Sequence, residues 1–252
     1  MIERAELLTA FDTLLQPERF RDYGPNGLQV EGRAQVQKIV SGVTASRALI
    51  EAAIAADADA IFVHHGLFWR GQDGRVTGWM KQRLSLLLAH DINLFAYHLP
   101  LDAHPELGNN AQLGVQLGLV DQSRFGEQDL GWLGERADGG VFDSAQALSD
   151  HLEFVLKRHV VLVDKAQVAI KKIAWCSGGA QSYFEAAIAA GADAFITGEM
   201  SEPQAHLARE CGVAYLACGH HASERYGAPA VAAHVAAQFG LVHEFIDIDN
   251  PA

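Results

Sequence analysis

The chain has 252 residues, 49% of them hydrophobic, enough to bury the core of one large domain or two modest ones. Its 31 acidic against 19 basic residues leave a formal charge of −12, which repels a phosphate backbone and argues against nucleic-acid binding. No stretch is long and apolar enough to span a membrane, no secretory signal is evident, and Cys176, Cys211 and Cys218 form no CxxC or disulfide pattern, so a reducing cytoplasm is expected.

The elements follow in chain order. Residues 1–16 mix charges into a helical period, and Tyr23-Gly24-Pro25-Asn26-Gly27 has the composition of a tight turn. KIVSGVT at 38–44 reads as a strand, Ser46 is placed to cap a helix running to about Ala56, and AIFV at 60–63 is an apolar strand that delivers His64 and His65. Phe68 and Trp69 suit either a core or a pocket wall. A helix near Trp79–Ala89 and a strand over NLFAY at 93–97 lead into His98-Leu-Pro-Leu-Asp102, where Pro100 favours a loop.

Polar residues around GERADGG, within 120–140, suggest a junction between domains 1–125 and 126–252. Beyond it come a helix from Ser144, the strand VVLV at 160–163, the strand KIAW at 172–175 and a turn at Gly178-Gly179. A helix from about Ser182 and the strand AFIT at 194–197 precede Gly198-Glu199. A helix near Gln204–Glu210 and the strand AYLA at 214–217 then lead into His220-His-Ala-Ser-Glu224. A helix around Pro229–Gln238 and a strand in HEFIDID close the second domain.

A repeat organises this order. EAAIAADADA at 51–60 and EAAIAAGADA at 185–194 agree at nine of ten positions, and Lys38-Ile39 matches Lys172-Ile173 at the same offset. An Ala-rich helix can imitate itself by composition, but both halves read strand, helix, strand and later end a strand with His-x-x-x-acid. Short apolar runs alternating with amphipathic helices predict parallel strands joined by helical crossovers, an α/β class.

Ligands collect at the carboxyl ends of strands in open parallel sheets, and His64, His65, His98 and His220 all follow predicted strands. Imidazole nitrogen and carboxylate oxygen suit divalent transition metals, so His64, His65, Asp102, His220 and Glu224 form a candidate two-metal site. A His-His pair or a His-x-x-x-Glu spacing is commonplace alone. Recurrence at matching strand ends of two repeats carries the metal reading. His90, His104, His151, His159, His206, His234 and His243 lack that placement and read as structural or solvated. Ser177-Gly-Gly matches no phosphate-loop fingerprint.

YGPNGLQVEG at 23–32, FVHHG at 62–66, YHLPLD at 97–102 and GHHASE at 219–224 closely resemble the Nif-three-like dinuclear-metal family, also catalogued as GTP cyclohydrolase I type 2 homologues. The resemblance covers nearly the whole chain. It implies two related three-layer α/β/α subdomains from an internal duplication and a toroidal homohexamer. It also implies two divalent metals per subunit held by His64, His65, Asp102, His220 and Glu224, with Glu224 bridging. His98 is then expected beside the metals as a catalytic proton-transfer group, and Glu199, the counterpart of His65, is a weaker candidate. Zinc, iron, manganese and nickel all fit the donors.

Two function classes stand open. One is metal-dependent hydrolysis of a nucleotide-like or phosphorylated small molecule, and the other is non-enzymatic metal storage, delivery or sensing. GTP cyclohydrolase activity ranks below both, because no separate motif for guanine is present.

Overall fold

The computed structural model describes residues 1–164 and 168–252. Contacts divide the chain into two units, Met1–Gly108 with Arg225–Asp249, and Asn109–Glu224 with Asn250–Ala252. Both are α/β, and among the described residues no helix is long and apolar enough to cross a membrane.

The first unit begins with β1 (Ile2–Glu3), α1 (Arg4–Leu15), β2 (Gly27–Val30) and β3 (Gln35–Val36). It continues through β4 (Lys38–Thr44), α2 (Arg47–Ala55), β5 (Ala60–His65), α3 (Gly78–Ala89), β6 (Asn93–Ala96) and α4 (Leu99–Ala103). Ser46 caps α2 as expected, its side chain accepting from the Leu49 amide. Strand alternation sends Ala60 and Phe62 of β5 to one face, with Phe11, Phe95, Tyr97 and Val231. Ile61 and Val63 go to the other, with Leu49, Ile50, Leu87 and Leu94. The sheet is thereby covered on both faces, the three-layer arrangement. Phe11 packs with ring centroids 4.6 Å from Phe62 and 5.4 Å from Phe95, a burial that stabilises by about 2–3 kcal/mol.

The second unit runs α5 (Asn109–Leu117), β7 (Leu119–Phe125), β8 (Gly131–Arg136), α6 (Ala145–Leu156), β9 (Val161–Val163) and β10 (Ile173–Trp175). Then follow α7 (Phe184–Ala189), β11 (Ala194–Thr197), α8 (Glu202–Cys211), β12 (Ala214–Ala217) and α9 (His220–Glu224). Its six-stranded sheet has the order β7-β8-β10-β11-β12-β9. The central β10, β11 and β12 are parallel, whereas β8 and β9 flank them antiparallel. The expected parallel strands joined by helices form the repeated strand-helix-strand core, and the antiparallel strands lie outside it.

The chain then returns to the first unit with α10 (Gly227–Phe239) and β13 (Val242–Phe245). The first sheet has the order β13-β4-β5-β6-β2, with β2 antiparallel at its edge. The division at 125/126 is therefore replaced by a crossing at 108/109 and a return at 225. Residues 119–136 look like a polar junction because β7 and β8 pair antiparallel at a sheet edge, and the middle of β7 faces water. Val242–Phe245 joins Lys38–Ser41 in parallel, a pairing that no local pattern specifies. A second correction concerns Leu99–Ala103, which is a short helix and not a loop. Pro100 lies in its first turn, where the missing N–H is not needed.

Candidate metal centre

In the first unit, β5 continues through His64 and His65, beyond the predicted Val63. Their rings still come together, with centroids 4.4 Å apart, and His98, one residue past the end of β6 beyond Tyr97, stands 4.9 Å from His64 and 5.7 Å from His65. One ligand nitrogen from each of the three lies within 4.8 Å of the other two. The fully buried His64 presents Nε2 to Asp102 Oδ1 at 3.5 Å, and Asp102 is itself buried on α4.

Each ring is oriented from behind. His64 Nδ1–H donates to the Tyr97 carbonyl at 3.2 Å, which leaves Nε2 as the lone-pair nitrogen. Tyr97 is anchored in the core, its hydroxyl donating to Asp12 at 2.6 Å. His65 Nδ1 shares a 3.1 Å hydrogen bond with the Thr44 hydroxyl at the end of β4. His98 Nδ1–H donates to Asp22 Oδ1 at 2.7 Å, and the other Asp22 oxygen accepts from the Leu99 amide and the Asn26 side chain. Burial opposes ionisation of Asp22, but the hydrogen bond and charge of His98, with Asn26 and Leu99, hold it down from 3.8 to about 2.

In the second unit, His220 and Glu224 share the single turn of α9, with Nε2 3.2 Å from Glu224 Oε2. His220 Nδ1–H donates to Glu199 Oε1 at 2.7 Å. Burial favours the neutral ring, yet Glu224 and Glu199 outweigh it and raise His220 to about 9. A proton and a divalent cation would compete for Nε2 there. The expected turn at Gly178-Gly179 presses against this pair. Gly178 has φ +67°, and a Cβ on it would overlap Glu224 Oε1. Ser223 fixes the approach by accepting from the Gly178 amide while donating to the His220 carbonyl.

The structure thus gathers His64, His65, His98 and Asp102 in one unit and His220 with Glu224 in the other. Glu199 holds a ring nitrogen from behind. Sequence reasoning missed Asp22 and Thr44, whose only available signal is a polar residue beside an assigned element. Of the remaining histidines, His151 donates to the Leu117 carbonyl and His243 pairs with Ser41, consistent with structural roles.

Residues 2–251 match the Duf34/NIF3 (NGG1p interacting factor 3) family. A Neisseria meningitidis serogroup A protein described as "GTP cyclohydrolase 1 type 2 homolog" is 50% identical over 255 residues, covering all of both chains. The solved structure of protein ybgI, described as of unknown function, superposes over the whole of both chains with a TM-score of 0.95 at 44% identity. TTHA1606 from Thermus thermophilus does so with a TM-score of 0.90 at 33% identity. With the match spanning nearly every residue and whole-length relatives near half identity, the chain belongs to the DUF34/NIF3 family.

Proposed function

We propose that the protein binds two divalent ions through His64, His65, Asp102, His220 and Glu224, with Glu224 bridging, and hydrolyses a nucleotide-like or phosphorylated small molecule. The observation that carries this reading is shared by four rings. His64, His65, His98 and His220 each commit Nδ1 to an oxygen partner, which leaves Nε2 as the nitrogen each ring offers to a ligand. The donors are nitrogen and oxygen, and the buried Cys218 thiol is pushed up to about 12 by desolvation, unfit as a thiolate ligand or nucleophile. Such a set fits zinc, iron, manganese or nickel.

Bound divalent ions would supply Lewis-acid polarisation and acidify water. The chain's own contribution is orientation. The Tyr97 carbonyl fixes the His64 tautomer, Thr44 steadies His65, and burial of His64 and Asp102 excludes bulk water. His98, its Nδ1 held by Asp22, exchanges a proton at Nε2. The common strand-helix-strand order and the nine-of-ten match at 51–60 and 185–194 support an origin of the two units by duplication. Family likeness supports a toroidal hexamer in the cytoplasm, which light scattering on the purified protein and cell fractionation test.

Elemental analysis of protein from its native host, with a screen of phosphoesters and nucleotides, tests the function. We expect bound divalent metal and turnover that falls at least about 100-fold in Asp102→Ala. Metal transfer to an acceptor protein without turnover of any substrate would replace hydrolysis by delivery. Formate release from GTP would identify cyclohydrolase chemistry.

A further inference from the structure

Beside the histidine cluster of the first unit lies a cleft that the metal reading does not use. It encloses about 320 Å³ and is lined by Asp22, Tyr23, Phe68, Trp69 and Arg70, with the turn at Gly24 and Pro25. That volume is at the lower end for small-molecule pockets and suits one planar ring with a substituent.

Two segments build the cleft, and they are locked together. The Arg70 amide donates to the Tyr23 carbonyl at 2.6 Å, and Arg70 Nη2 donates to the Asp22 carbonyl at 2.8 Å. Gly24 sits so close that a Cβ there would overlap the Phe68 carbonyl. On this frame the Trp69 and Tyr23 rings stand edge-on to His98, at 5.0 and 6.0 Å. Tyr23 is 61% exposed, a large aromatic surface left to water at the cleft. The Arg70 guanidinium is held by one carbonyl oxygen through Nη2 and has further N–H donors for an anion. The Asp22 carboxylate is nearly buried and engaged by His98, Leu99, Asn26 and the Tyr23 amide.

We propose that this cleft recognises a planar aromatic ring carrying an anionic group, with Tyr23 and Trp69 contacting the ring and Arg70 the anion. The ligand would lie against the two rings that border His98. The inference names the substrate class for the proposed metal centre and rests on that reading for its catalytic meaning, while the binding itself needs no metal.

Calorimetry on the chelator-treated protein tests it, with guanosine monophosphate, nicotinate and ribose 5-phosphate as probes. The first two should bind and the third should not. Preference for the nucleotide or for nicotinate distinguishes a phosphate-bearing from a carboxylate-bearing source. Trp69→Leu and Arg70→Gln should each weaken binding about tenfold, and Tyr23→Ser, at an exposed position, should do so without disturbing the fold seen by circular dichroism. Absence of binding by both aromatic probes, equal binding of ribose 5-phosphate, or unchanged affinity in Tyr23→Ser and Arg70→Gln would overturn the proposal. Zinc retention is measured separately by equilibrium dialysis, so failure of the metal reading appears there and not in the calorimetry.

Discussion

The first unit ends β5 in His64-His65, whereas the second ends β11 at Thr197 and continues into Gly198-Glu199. Both units also place a His-x-x-x-acid element after a later strand, but they support it differently. In the second unit the strand-end residue Glu199 holds His220 Nδ1. In the first, the corresponding support for His98 comes from Asp22, ahead of the repeated core. With His98 supported from outside the repeated core, the strand-end position of the first unit holds His65 and not a supporting carboxylate. The acids differ as well. Glu224 reaches back to His220 within one helical turn, while Asp102 approaches His64 and His98 stands outside α4 as its cap. Two units with the same strand-helix-strand order can therefore place like residues at like addresses and still surround them differently.

The largest expected effect breaks the tight packing peculiar to the second unit. Gly178→Ala adds a Cβ at positive φ against Glu224, costing about 2–4 kcal/mol of stability. Urea unfolding measures it, and metal retention by dialysis should fall in the same variant.

Glu199→Gln and Asp22→Asn test the difference in support directly. Under the proposed ligand set, Glu199→Gln weakens metal binding about 10–100-fold, because His220 loses the carboxylate that orients it. Asp22→Asn acts on His98, outside that set, and should leave metal affinity essentially unchanged while lowering turnover. Competition with a chelator reads the first effect and steady-state rates the second. Equal losses of metal in both variants would place His98 among the ligands.

Acid titration of the metal-free protein gives a smaller effect. Asp22 has a folded-state pKa of about 2, below its ordinary 3.8, so the unfolded chain binds that proton more readily. Its contribution is present above about pH 4 and is lost as pH falls towards 2. The loss should be about 1–2 kcal/mol after allowance for solvent screening, and Asp22→Asn should remove this part of the pH dependence of urea midpoints.

The smallest contrast concerns helix entry. α2 is capped by the Ser46 side chain, but its counterpart α7 follows a 3-10 turn and has no side-chain cap. Ser46→Ala should cost about 1 kcal/mol, and the exposed Ser182→Ala should stay within about 0.5 kcal/mol. Thermal unfolding of the two variants checks the difference.

Much of the core order was legible because local rules act on it. KIVSGVT and AFIT are apolar runs of strand length, Ser46 precedes a helical period, and the histidines follow strands. Pro100 misled because a proline reads as a breaker, although the first turn of a helix tolerates it. β7 was hidden by its polar middle, Val-Asp-Gln-Ser, an edge strand with exposed side chains.

The sequence by itself determined the α/β class, the repeated strand-helix-strand order and the family, and it marked the His and carboxylate residues. These depend on periodicity and on the chemistry of single side chains. Only the tertiary structure decided that β13 pairs with β4, that Asp22 supports His98 from 76 residues away, and that Tyr23 and Trp69 face one cleft. Each of those is a long-range contact, set by which surfaces can be buried together and which polar groups must find partners, and spacing along the chain encodes neither.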